Sequence, residues 1–258
     1  MRRKLWIGLG FGLLAGCHTQ ESAKEPESMF KKLLTEDIKV GSGAAAEEGD
    51  TAHLQYVGTF AKSGVQFDTN DPERSEKNKT PLAFQIAPTS TVVQGMVDGV
   101  RGMKVGGVRK IKVPYMLAYG ASGSEGIPPY SDLIFEIKLL YLVKKGEEND
   151  VYVEDVRIGT GPVIGPKDKV VVNYVGKFVN GRLFDSTYLR KAPVTFQMGK
   201  TEVITGIERG MEGMKVGGKR ILTLNPNAGY GGFGEGVIPA NAVLIYELEV
   251  VSAKPSGA

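Results

Sequence analysis

Two sets of side chains recur in the same order along this chain, and each combines apolar and aromatic residues with one carboxylate. The first set is Tyr56, Phe67, Asp68, Val92, Val93, Tyr119, Ile127 and Phe135. The second set is Tyr174, Phe184, Asp185, Val203, Ile204, Tyr230, Ile238 and Tyr246. A hydrophobic core accounts for the aliphatic members, but a buried aspartate needs a polar partner. Tyr119 and Tyr230 lie in Gly-rich loops, where rings commonly face a cleft, so we expect each set to contribute a tyrosine and an aspartate to a cleft.

Nucleophilic, redox and metal chemistry have few residues available. Cys17 is the only cysteine, and His18 and His53 are the only histidines. A disulfide, a Cys-rich metal site or a site of several histidines therefore cannot form within the chain. His53 falls on the polar face of a predicted strand, so we interpret it as a solvated residue and not as a general base. We predict no cofactor and no metal.

The composition is that of a folded, non-membrane protein body. Of the 258 residues, 41% are hydrophobic and 24% are charged, which suits one or two globular domains. The 35 glycines indicate many tight turns and a β-rich fold. The formal net charge of +3 is carried by Arg2, Arg3 and Lys4, and the rest is formally neutral. A neutral body gives no electrostatic reason to expect nucleic-acid binding.

The N-terminus has the layout of a targeting segment. Residues 1–17 read MRRKLWIGLGFGLLAGC, and the apolar run is shorter than the roughly 20 residues that span a bilayer. The end of the run resembles the bacterial lipobox, which implies a lipid on Cys17; an ordinary signal peptide with an incidental cysteine is the alternative. We predict a signal peptide over 1–16 and a lipidated Cys17 with a flexible tether over 17–30. The protein would be exported and lipid-anchored to a bacterial membrane, on its periplasmic or outer-surface face.

The remainder is a duplication. Gly102-Met103-Lys104-Val105-Gly106-Gly107 recurs as Gly213-Met214-Lys215-Val216-Gly217-Gly218, and Tyr56-Val57-Gly58 recurs as Tyr174-Val175-Gly176. The period exceeds about 100 residues, which is too long for a solenoid repeat. We predict domain one over 31–143, a charged linker over 144–150, domain two over 151–252 and a tail over 253–258.

Each copy is predicted to be an α+β domain. Apolar residues alternate with polar ones over 133–139 and 244–250, which predicts an antiparallel sheet covered on one face. Met96 and Val100, like Ile207 and Met211, have the i, i+4 spacing of one short helix. The fold class is therefore two half-open antiparallel sheets, each wrapped around one short helix.

A GxGxxG sequence over 229–234 does not indicate a nucleotide site. A phosphate-binding loop lies between a strand and a helix. Here Val237-Ile238-Pro239 and a strand pattern follow the glycines.

Six short motifs, repeated in order, resemble the FKBP-type peptidyl-prolyl cis/trans isomerases. Domain one has Phe67-Asp68-Thr69, Val92-Val93-Gln94-Gly95, Leu117-Ala118-Tyr119-Gly120 and Gly126-Ile127-Pro128-Pro129. Domain two has Phe184-Asp185-Ser186-Thr187, Val203-Ile204-Thr205-Gly206 and Val237-Ile238-Pro239. The resemblance covers about 33 to 252 and implies catalysis of rotation about X–Pro bonds in protein or peptide substrates, without a cofactor.

The resemblance also implies a role for each site residue. Tyr56, Phe67, Phe135, Tyr174, Phe184 and Tyr246 would line the proline pockets. Tyr119 and Tyr230 would donate to a substrate carbonyl, as would the backbone N–H groups of Val93 and Ile204. Asp68 and Asp185 would be half-buried polar anchors beside the twisting bond.

The sequence departs from the family pattern at several positions. The pocket floor, often tryptophan in the family, is Met96 and Ile207, from which we expect weakened macrolide binding and retained catalysis. Tyr246 places a hydroxyl where phenylalanine is usual. A longer polar loop over 70–80 lies beside the first site. A peptide-binding chaperone that uses the same clefts without catalysis is the main alternative, and a spacer that reuses the fold is the weaker one.

Overall fold

The computed structural model describes residues 25–75 and 79–255. The predicted signal peptide over 1–16 and the lipobox cysteine, Cys17, lie outside the described residues. So do the first part of the predicted tether, the middle of the 70–80 loop and the end of the tail. Among the residues described, no helix is long and apolar enough to cross a membrane.

The first half of the chain forms one antiparallel sheet with a short helix. Its elements are β1 (Leu34–Lys39), β2 (Thr51–Phe60), β3 (Gln66–Thr69), β4 (Leu82–Gln85), α1 (Gln94–Val100), β5 (Val108–Val113) and β6 (Leu133–Val143). The strand order is β1-β5-β6-β2-β3, with β4 also paired to β2. The long central strands β2 and β6 therefore position everything else in this domain.

The second half repeats this arrangement. Its elements are β7 (Val151–Arg157), β8 (Lys169–Phe178), β9 (Leu183–Ser186), α2 (Thr187–Arg190), β10 (Val194–Gln197), α3 (Thr205–Met211), β11 (Lys219–Leu224) and β12 (Leu244–Lys254). The sheet order is β10-β8-β12-β11-β7, with β9 also paired to β8. The predicted α+β class and the duplication are confirmed. Helix α2 was not predicted, and β12 extends to Lys254, two residues past the predicted end of the domain at 252.

The alternation predicted for the last strand of each domain is present. Along β6, Leu133, Phe135, Ile137 and Leu139 are buried, while Glu136 and Lys138 are exposed. The buried side chains pack against the helix of the same domain and form a separate core in each half. This one-sided burial is what a period of two produces in an antiparallel sheet.

Glycines allow each helix to lie directly on its sheet. A Cβ atom at Gly95 would come 2.3 Å from Val113 Cγ1, and one at Gly210 would come 2.4 Å from Leu222 Cδ1. Such distances are below van der Waals contact, so a larger residue would push the helix outward. The close approach keeps each helix packed against the sheet of its own domain.

The predicted linker is held by both domains. Lys144 pairs with Asp50 at 2.7 Å on the domain-one side. On the domain-two side, the side chain of Asn225 donates to the Glu147 carbonyl at 2.7 Å, and its backbone N–H donates to the Asp150 carbonyl at 3.0 Å. Asn225 is fully buried. Residues 144–150 are therefore a fastened connection between the domains.

The end of the predicted tether contacts domain one. Ser28 Oγ donates to the Asp132 carboxylate at 2.8 Å, and the Met29 N–H donates to the same group at 2.5 Å. Asp132 also accepts from the Tyr115 N–H at 2.7 Å. Attachment to the domain therefore starts before the boundary predicted at residue 30.

Candidate functional site

In domain one, aromatic rings from three strands form one wall. Phe135 on β6 packs edge-on against Tyr56 on β2 and Phe67 on β3, with ring centroids 6.2 and 5.8 Å away. Phe60 supports Phe67 from behind at 5.1 Å. Strand pairing of β2 with both β3 and β6 brings these rings together. Such edge-to-face contacts are favourable arrangements for aromatic pairs.

Domain two builds the same wall with one change of residue. Tyr246 on β12 takes the position of Phe135 and packs against Tyr174 and Phe184, with centroids 5.4 and 5.6 Å apart. Phe178 supports Phe184 at 5.0 Å. The equivalence of the two walls follows from the repeated strand register, because Tyr246 pairs with Gly176 as Phe135 pairs with Gly58.

The glycine of each Tyr-Val-Gly motif gives the phenylalanine its position. A Cβ atom at Gly58 would lie 2.7 Å from the ring of Phe67, and one at Gly176 would lie 2.6 Å from the ring of Phe184. The ring therefore occupies the space above the glycine. Any side chain there would displace the ring into the cleft.

In domain one, the Tyr56 hydroxyl donates a hydrogen bond to the Asp68 carboxylate. Burial, followed by this hydrogen bond and the charge of Asp68, raises the pKa of Tyr56 far above its ordinary value. The other oxygen of Asp68 accepts from the Thr69 N–H at 2.8 Å. The carboxylate is therefore held in place from two sides.

In domain two, the equivalent pair carries an additional cation. Tyr174 donates to Asp185 at 2.5 Å, and Arg190 Nη1 donates to both oxygens of Asp185 at 2.6 and 2.7 Å. The guanidinium also lies over the Tyr174 ring, 5.7 Å from its centroid. Burial would raise the pKa of Asp185, but hydrogen bonds from Tyr174, Arg190 and the Ser186 N–H hold it below its usual range.

Different residues satisfy the backbone of the two tyrosines. Asn70 Oδ1 accepts from the Tyr56 N–H at 2.8 Å, and its Nδ2 donates to the carbonyls of Leu54 and Thr80 at 2.9 and 3.0 Å. Asn70 is 1% exposed, although it opens the predicted polar loop. In domain two, Thr187 Oγ1 accepts from the Tyr174 N–H at 2.8 Å.

The pKa values of the loop tyrosines, Tyr119 and Tyr230, respond to the aspartates of the two sites. Burial and then the negative charge of Asp68 raise the pKa of the Tyr119 hydroxyl. Burial and the charges of Glu235 and Asp185 also raise the pKa of Tyr230, while a hydrogen bond with the Tyr246 hydroxyl opposes this shift. Tyr230 packs against the domain-two core, whereas Tyr119 is 37% exposed and is not part of the domain-one core.

The remaining predicted site residues are placed in the two cores. Those that are buried are Met96, Ile127, Ile207 and Ile238, and those that are half-buried and packed against the core are Val92, Val93, Val203 and Ile204. Val93 and Ile204 directly precede α1 and α3. Within 25–75 and 79–255, neither backbone N–H has a hydrogen-bond acceptor. Both donors are therefore available to a bound group.

Two predictions about polar residues are wrong. His53 is 1% exposed and not solvated, because the face of β2 opposite the core is covered by Tyr141, whose ring lies 6.3 Å away. Burial lowers the pKa of His53 to about 4, and its Nε2 has no partner in the described part of the chain. Asp68 is exposed and not half-buried, because among residues 25–75 and 79–255 no arginine covers it as Arg190 covers Asp185.

Three contributors to the site were missed. Arg190 comes five residues after Asp185, and only the unpredicted α2 brings it back to the carboxylate. Asn70 is predicted only as the start of a polar loop and Thr187 only as the end of the Phe-Asp-Ser-Thr motif, although the two side chains accept from the N–H groups of Tyr56 and Tyr174. The spacing Asp-x4-Arg carries a signal for the arginine, but the asparagine and threonine have different identities in the two domains and leave no repeated pattern.

The arrangement is suited to binding and desolvation. Both sites combine an aromatic wall, buried apolar residues beside it, one carboxylate held by a tyrosine and a backbone N–H without an acceptor among the described residues. His53 lies on the opposite face of its strand and faces Tyr141, so it has no access to either cleft. Among the described residues, no cluster of three or more His, Cys, Asp or Glu side chains could hold a metal ion.

Comparison with known proteins gives the same two units. The family model described as FKBP-type peptidyl-prolyl cis-trans isomerase matches residues 43–140 and 161–251. Peptidyl-prolyl cis-trans isomerase FKBP9 of Homo sapiens is 32% identical over 203 residues, covering 78% of this chain and 34% of that protein. Peptidyl-prolyl cis-trans isomerase FKBP10 of Homo sapiens is 32% identical over 209 residues, covering 80% of this chain and 34% of that protein.

Among solved structures, FkpA from Escherichia coli is 35% identical, with 41% of this chain and 48% of that chain covered and a TM-score of 0.39. The chain spans about a third of the length of the two human relatives, with 34% of each covered.

Proposed function

Because the chain belongs to the FKBP-type peptidyl-prolyl cis-trans isomerase family, we propose that both of its domains accelerate rotation about X–Pro bonds in polypeptides. One observation carries the proposal. In each domain a tyrosine hydroxyl holds an aspartate at the mouth of an aromatic cleft, as Tyr56 holds Asp68 and Tyr174 holds Asp185. A protein that used the fold as a spacer would need neither pair.

The barrier to be lowered is electronic. Resonance between nitrogen and carbonyl keeps the peptide bond planar, with a rotation barrier of about 18–20 kcal/mol. For X–Pro bonds, uncatalysed exchange takes tens to hundreds of seconds. The planar form is more charge-separated than the twisted form, so water stabilises the ground state more than the transition state. A site that removes this water and fits the twisted bond lowers the barrier by differential binding.

The residues of each site can supply both effects. The rings of Phe67 and Phe135 would hold the pyrrolidine ring away from water, and Met96 would form the floor. Tyr119 would donate to one substrate carbonyl and the free Val93 N–H to another. In domain two, Phe184, Tyr246, Ile207, Tyr230 and Ile204 would take these roles.

Proton transfer has no part in this mechanism. The raised pKa values of Tyr119 and Tyr230 keep both hydroxyls protonated at neutral pH, so they act as hydrogen-bond donors. An acceleration of about 10⁶ would require ~8 kcal/mol. Exclusion of water and a few well-placed hydrogen bonds are of the size needed to supply it.

The activity is tested on the full chain with a short X–Pro peptide and a helper protease that cuts only the trans form. We expect a rate above background that falls by about 100-fold when Asp68→Ala and Asp185→Ala are combined, because each site then loses its charged anchor. Circular dichroism of the double variant should be unchanged. A wild-type rate equal to background would leave the non-catalytic peptide binder as the function.

We further propose that the protein is exported and anchored through a lipid on Cys17, with proteins that fold outside the cytoplasm as its substrates. The support is the basic and apolar sequence over 1–17 that ends in the lipobox-like Leu14-Ala15-Gly16-Cys17. Mass spectrometry of the membrane fraction should find Cys17 acylated at the mature N-terminus. Cys17→Ser should release the protein into the soluble fraction, and an unmodified, soluble wild-type protein would contradict the proposal.

A further inference from the structure

The loop tyrosine of the first site is held less firmly by packing than that of the second. Tyr119 is 37% exposed and lies outside the domain-one core, whereas Tyr230 packs against the core of domain two. A hydrogen bond also joins the hydroxyls of Tyr230 and Tyr246. Phe135, which takes the position of Tyr246 in domain one, has no hydroxyl to offer. The orientation of Tyr119 therefore depends more on the backbone on either side of it.

One carbonyl group holds that backbone on both sides of Tyr119. The Tyr115 carbonyl accepts from the Ala118 N–H at 3.0 Å and from the Gly120 N–H at 2.9 Å. These donors belong to the residues directly before and after Tyr119. Tyr115 therefore fixes the turn from which the Tyr119 side chain projects.

Asp132 holds the other backbone group of Tyr115. Its carboxylate accepts from the Tyr115 N–H at 2.7 Å, and Asp132 is 8% exposed. A carboxylate at such a depth needs several hydrogen-bond donors around it. The position of Tyr115 is thus tied to whatever else holds Asp132.

The end of the predicted tether, residues 25–30, supplies the other donors to Asp132. Ser28 Oγ donates at 2.8 Å and the Met29 N–H donates at 2.5 Å. The Tyr115 hydroxyl also donates to the Glu25 carboxylate at 3.4 Å. Hydrogen bonds therefore lead from the tether through Asp132 and Tyr115 to the turn that carries the loop tyrosine.

Domain two has the same turn without this connection. Pro226 takes the place of Tyr115, because its carbonyl accepts from the N–H groups on either side of Tyr230, at 3.0 and 2.8 Å. Proline has no N–H for a carboxylate to hold. Val243 directly precedes β12 as Asp132 directly precedes β6, and it has no polar side-chain group. The contact through a carboxylate is therefore particular to the first site.

We propose that Asp132 is a positioning residue for the first site, and that the end of the tether acts through it to orient the Tyr119 hydroxyl toward the substrate carbonyl. Residues 25–30 are then a working part of the first isomerase site as well as a connection. This inference rests on the proposed isomerase function and adds to it a dependence of one site on the tether.

The test uses the full chain with the second site inactivated by Asp185→Ala and Tyr230→Phe. In that chain, kcat and KM for a short X–Pro peptide are compared with and without Asp132→Val, the residue type of domain two. We expect kcat to fall about tenfold, because the Tyr119 donor is displaced. KM should change less than about twofold, since the aromatic wall that binds the proline is untouched.

A double-mutant cycle with Tyr119→Phe separates positioning from general damage to the fold. If Asp132 acts through the Tyr119 hydroxyl, Asp132→Val should lower kcat less than about twofold once that hydroxyl is absent. An equal loss of rate with and without the hydroxyl would show that Asp132 serves the fold alone, and would overturn the inference.

Ser28→Ala tests the tether without changing domain one. It removes one donor to Asp132, and we expect the first-site kcat to fall about threefold. Ser63→Ala is the matched control, because Ser63 Oγ contacts the Val65 N–H within its own turn, at 3.3 Å. Equal first-site rates in the two serine variants would contradict a role of the tether.

Hydrogen exchange gives a readout that does not depend on activity. In Asp132→Val, the amides of residues 115–120 should exchange about tenfold faster, while those of residues 226–231 stay unchanged. Unchanged exchange over 115–120 would overturn the inference whether or not the chain is an isomerase.

Failure of the proposed function is recognised separately, as a wild-type rate equal to background. The same cycle is then run on the affinity for a labelled X–Pro peptide, measured by fluorescence anisotropy. A loss of affinity in Asp132→Val that disappears when Tyr119→Phe is also present supports the inference. An equal loss in both, or no loss in either, overturns it.

Discussion

Arg190 Nη1 donates hydrogen bonds to both carboxylate oxygens of Asp185, at 2.6 and 2.7 Å, and this contact distinguishes the second site from the first. Within the described residues, Asp68 has no ion pair. The two domains therefore hold equivalent carboxylates by different means. The side chains of Arg190 and Asp185 are 44% and 30% exposed, so the pair contributes little to stability and its main effect is on the position of the carboxylate.

Replacing this arginine should affect activity more than stability. The first site is inactivated by Asp68→Ala and Tyr119→Phe so that only the second site is measured. In that chain, we expect Arg190→Met to lower kcat/KM about fivefold, because one charge-assisted hydrogen-bond donor to Asp185 is lost. The free energy of unfolding should change by less than about 1 kcal/mol. Arg74→Met is the matched control, since Arg74 pairs with Asp71 at 3.8 Å and should affect neither site. Equal rates for the two variants would contradict the role of Arg190.

Filling the space under the pocket ring should close the second site. Gly176→Ala would place a methyl group 2.6 Å from the Phe184 ring and force the ring toward the cleft. We expect loss of most second-site activity and destabilisation by about 1–3 kcal/mol, the usual cost of overpacking. Gly232→Ala is the control, because its Cβ atom would lie 3.7 Å from the nearest atom. Enzyme kinetics with urea unfolding of both variants checks the prediction, and full activity in Gly176→Ala would refute it.

Acid should destabilise the protein through His53. Its pKa is about 4 in the fold against an ordinary 6.5, so the unfolded chain binds the proton more tightly. The stability linked to His53 is therefore complete above pH 6.5 and is lost as the pH falls toward 4. The loss amounts to roughly 3 kcal/mol at pH 4. Carboxylates also make stability depend on acid pH, but this contribution is the same in wild type and in His53→Leu.

The measurement is urea unfolding of wild type and His53→Leu from pH 7 to pH 4. The variant removes the unpartnered Nε2 and should be as stable as wild type at pH 7. The stability difference between the two should grow in favour of the variant as the pH falls. Parallel pH profiles would show that His53 is not buried as a neutral group.

Removing the Asn225 side chain should loosen the connection between the domains. Its Nδ2 group holds the Glu147 carbonyl at 2.7 Å, and its Oδ1 atom accepts from Tyr141 at 3.4 Å. We expect Asn225→Ala to cost about 2 kcal/mol, since buried polar groups lose their partners. Trypsin should also cut after Lys144 and Lys145 sooner. Asn227→Ala is the control because that side chain is exposed, and identical proteolysis of the two variants would argue against the fastening.

The sequence is informative about this fold because its signals are local and repeated. Alternation along residues 133–139 and 244–250 identifies strands, and the i, i+4 pairs identify the helices. Two copies of each motif also support one another. The aromatic wall is predictable for the same reason, because its members occur twice in the same order.

Long-range contacts are what the sequence does not reveal. His53 looks solvated because it alternates with buried neighbours, yet Tyr141 from a strand almost 90 positions away covers it. Asp68 and Asp185 have the same sequence context, but only one has an arginine folded back over it. His53 is covered from a distant strand that no periodicity reports, whereas Arg190 is a near neighbour in sequence that only the unpredicted α2 brings to Asp185.

The clamp made by Asn70 has a consequence for how this architecture can change. One side chain joins the tyrosine backbone to Leu54 and to Thr80, at the far end of the loop. We expect a change of length or sequence between the two ends to leave Tyr56 in place, although it would alter the contact between the Lys79 carbonyl and Asn180. The loop between Asn70 and Thr80 is therefore a position at which a protein engineer could insert new recognition sequences while the first site keeps its geometry.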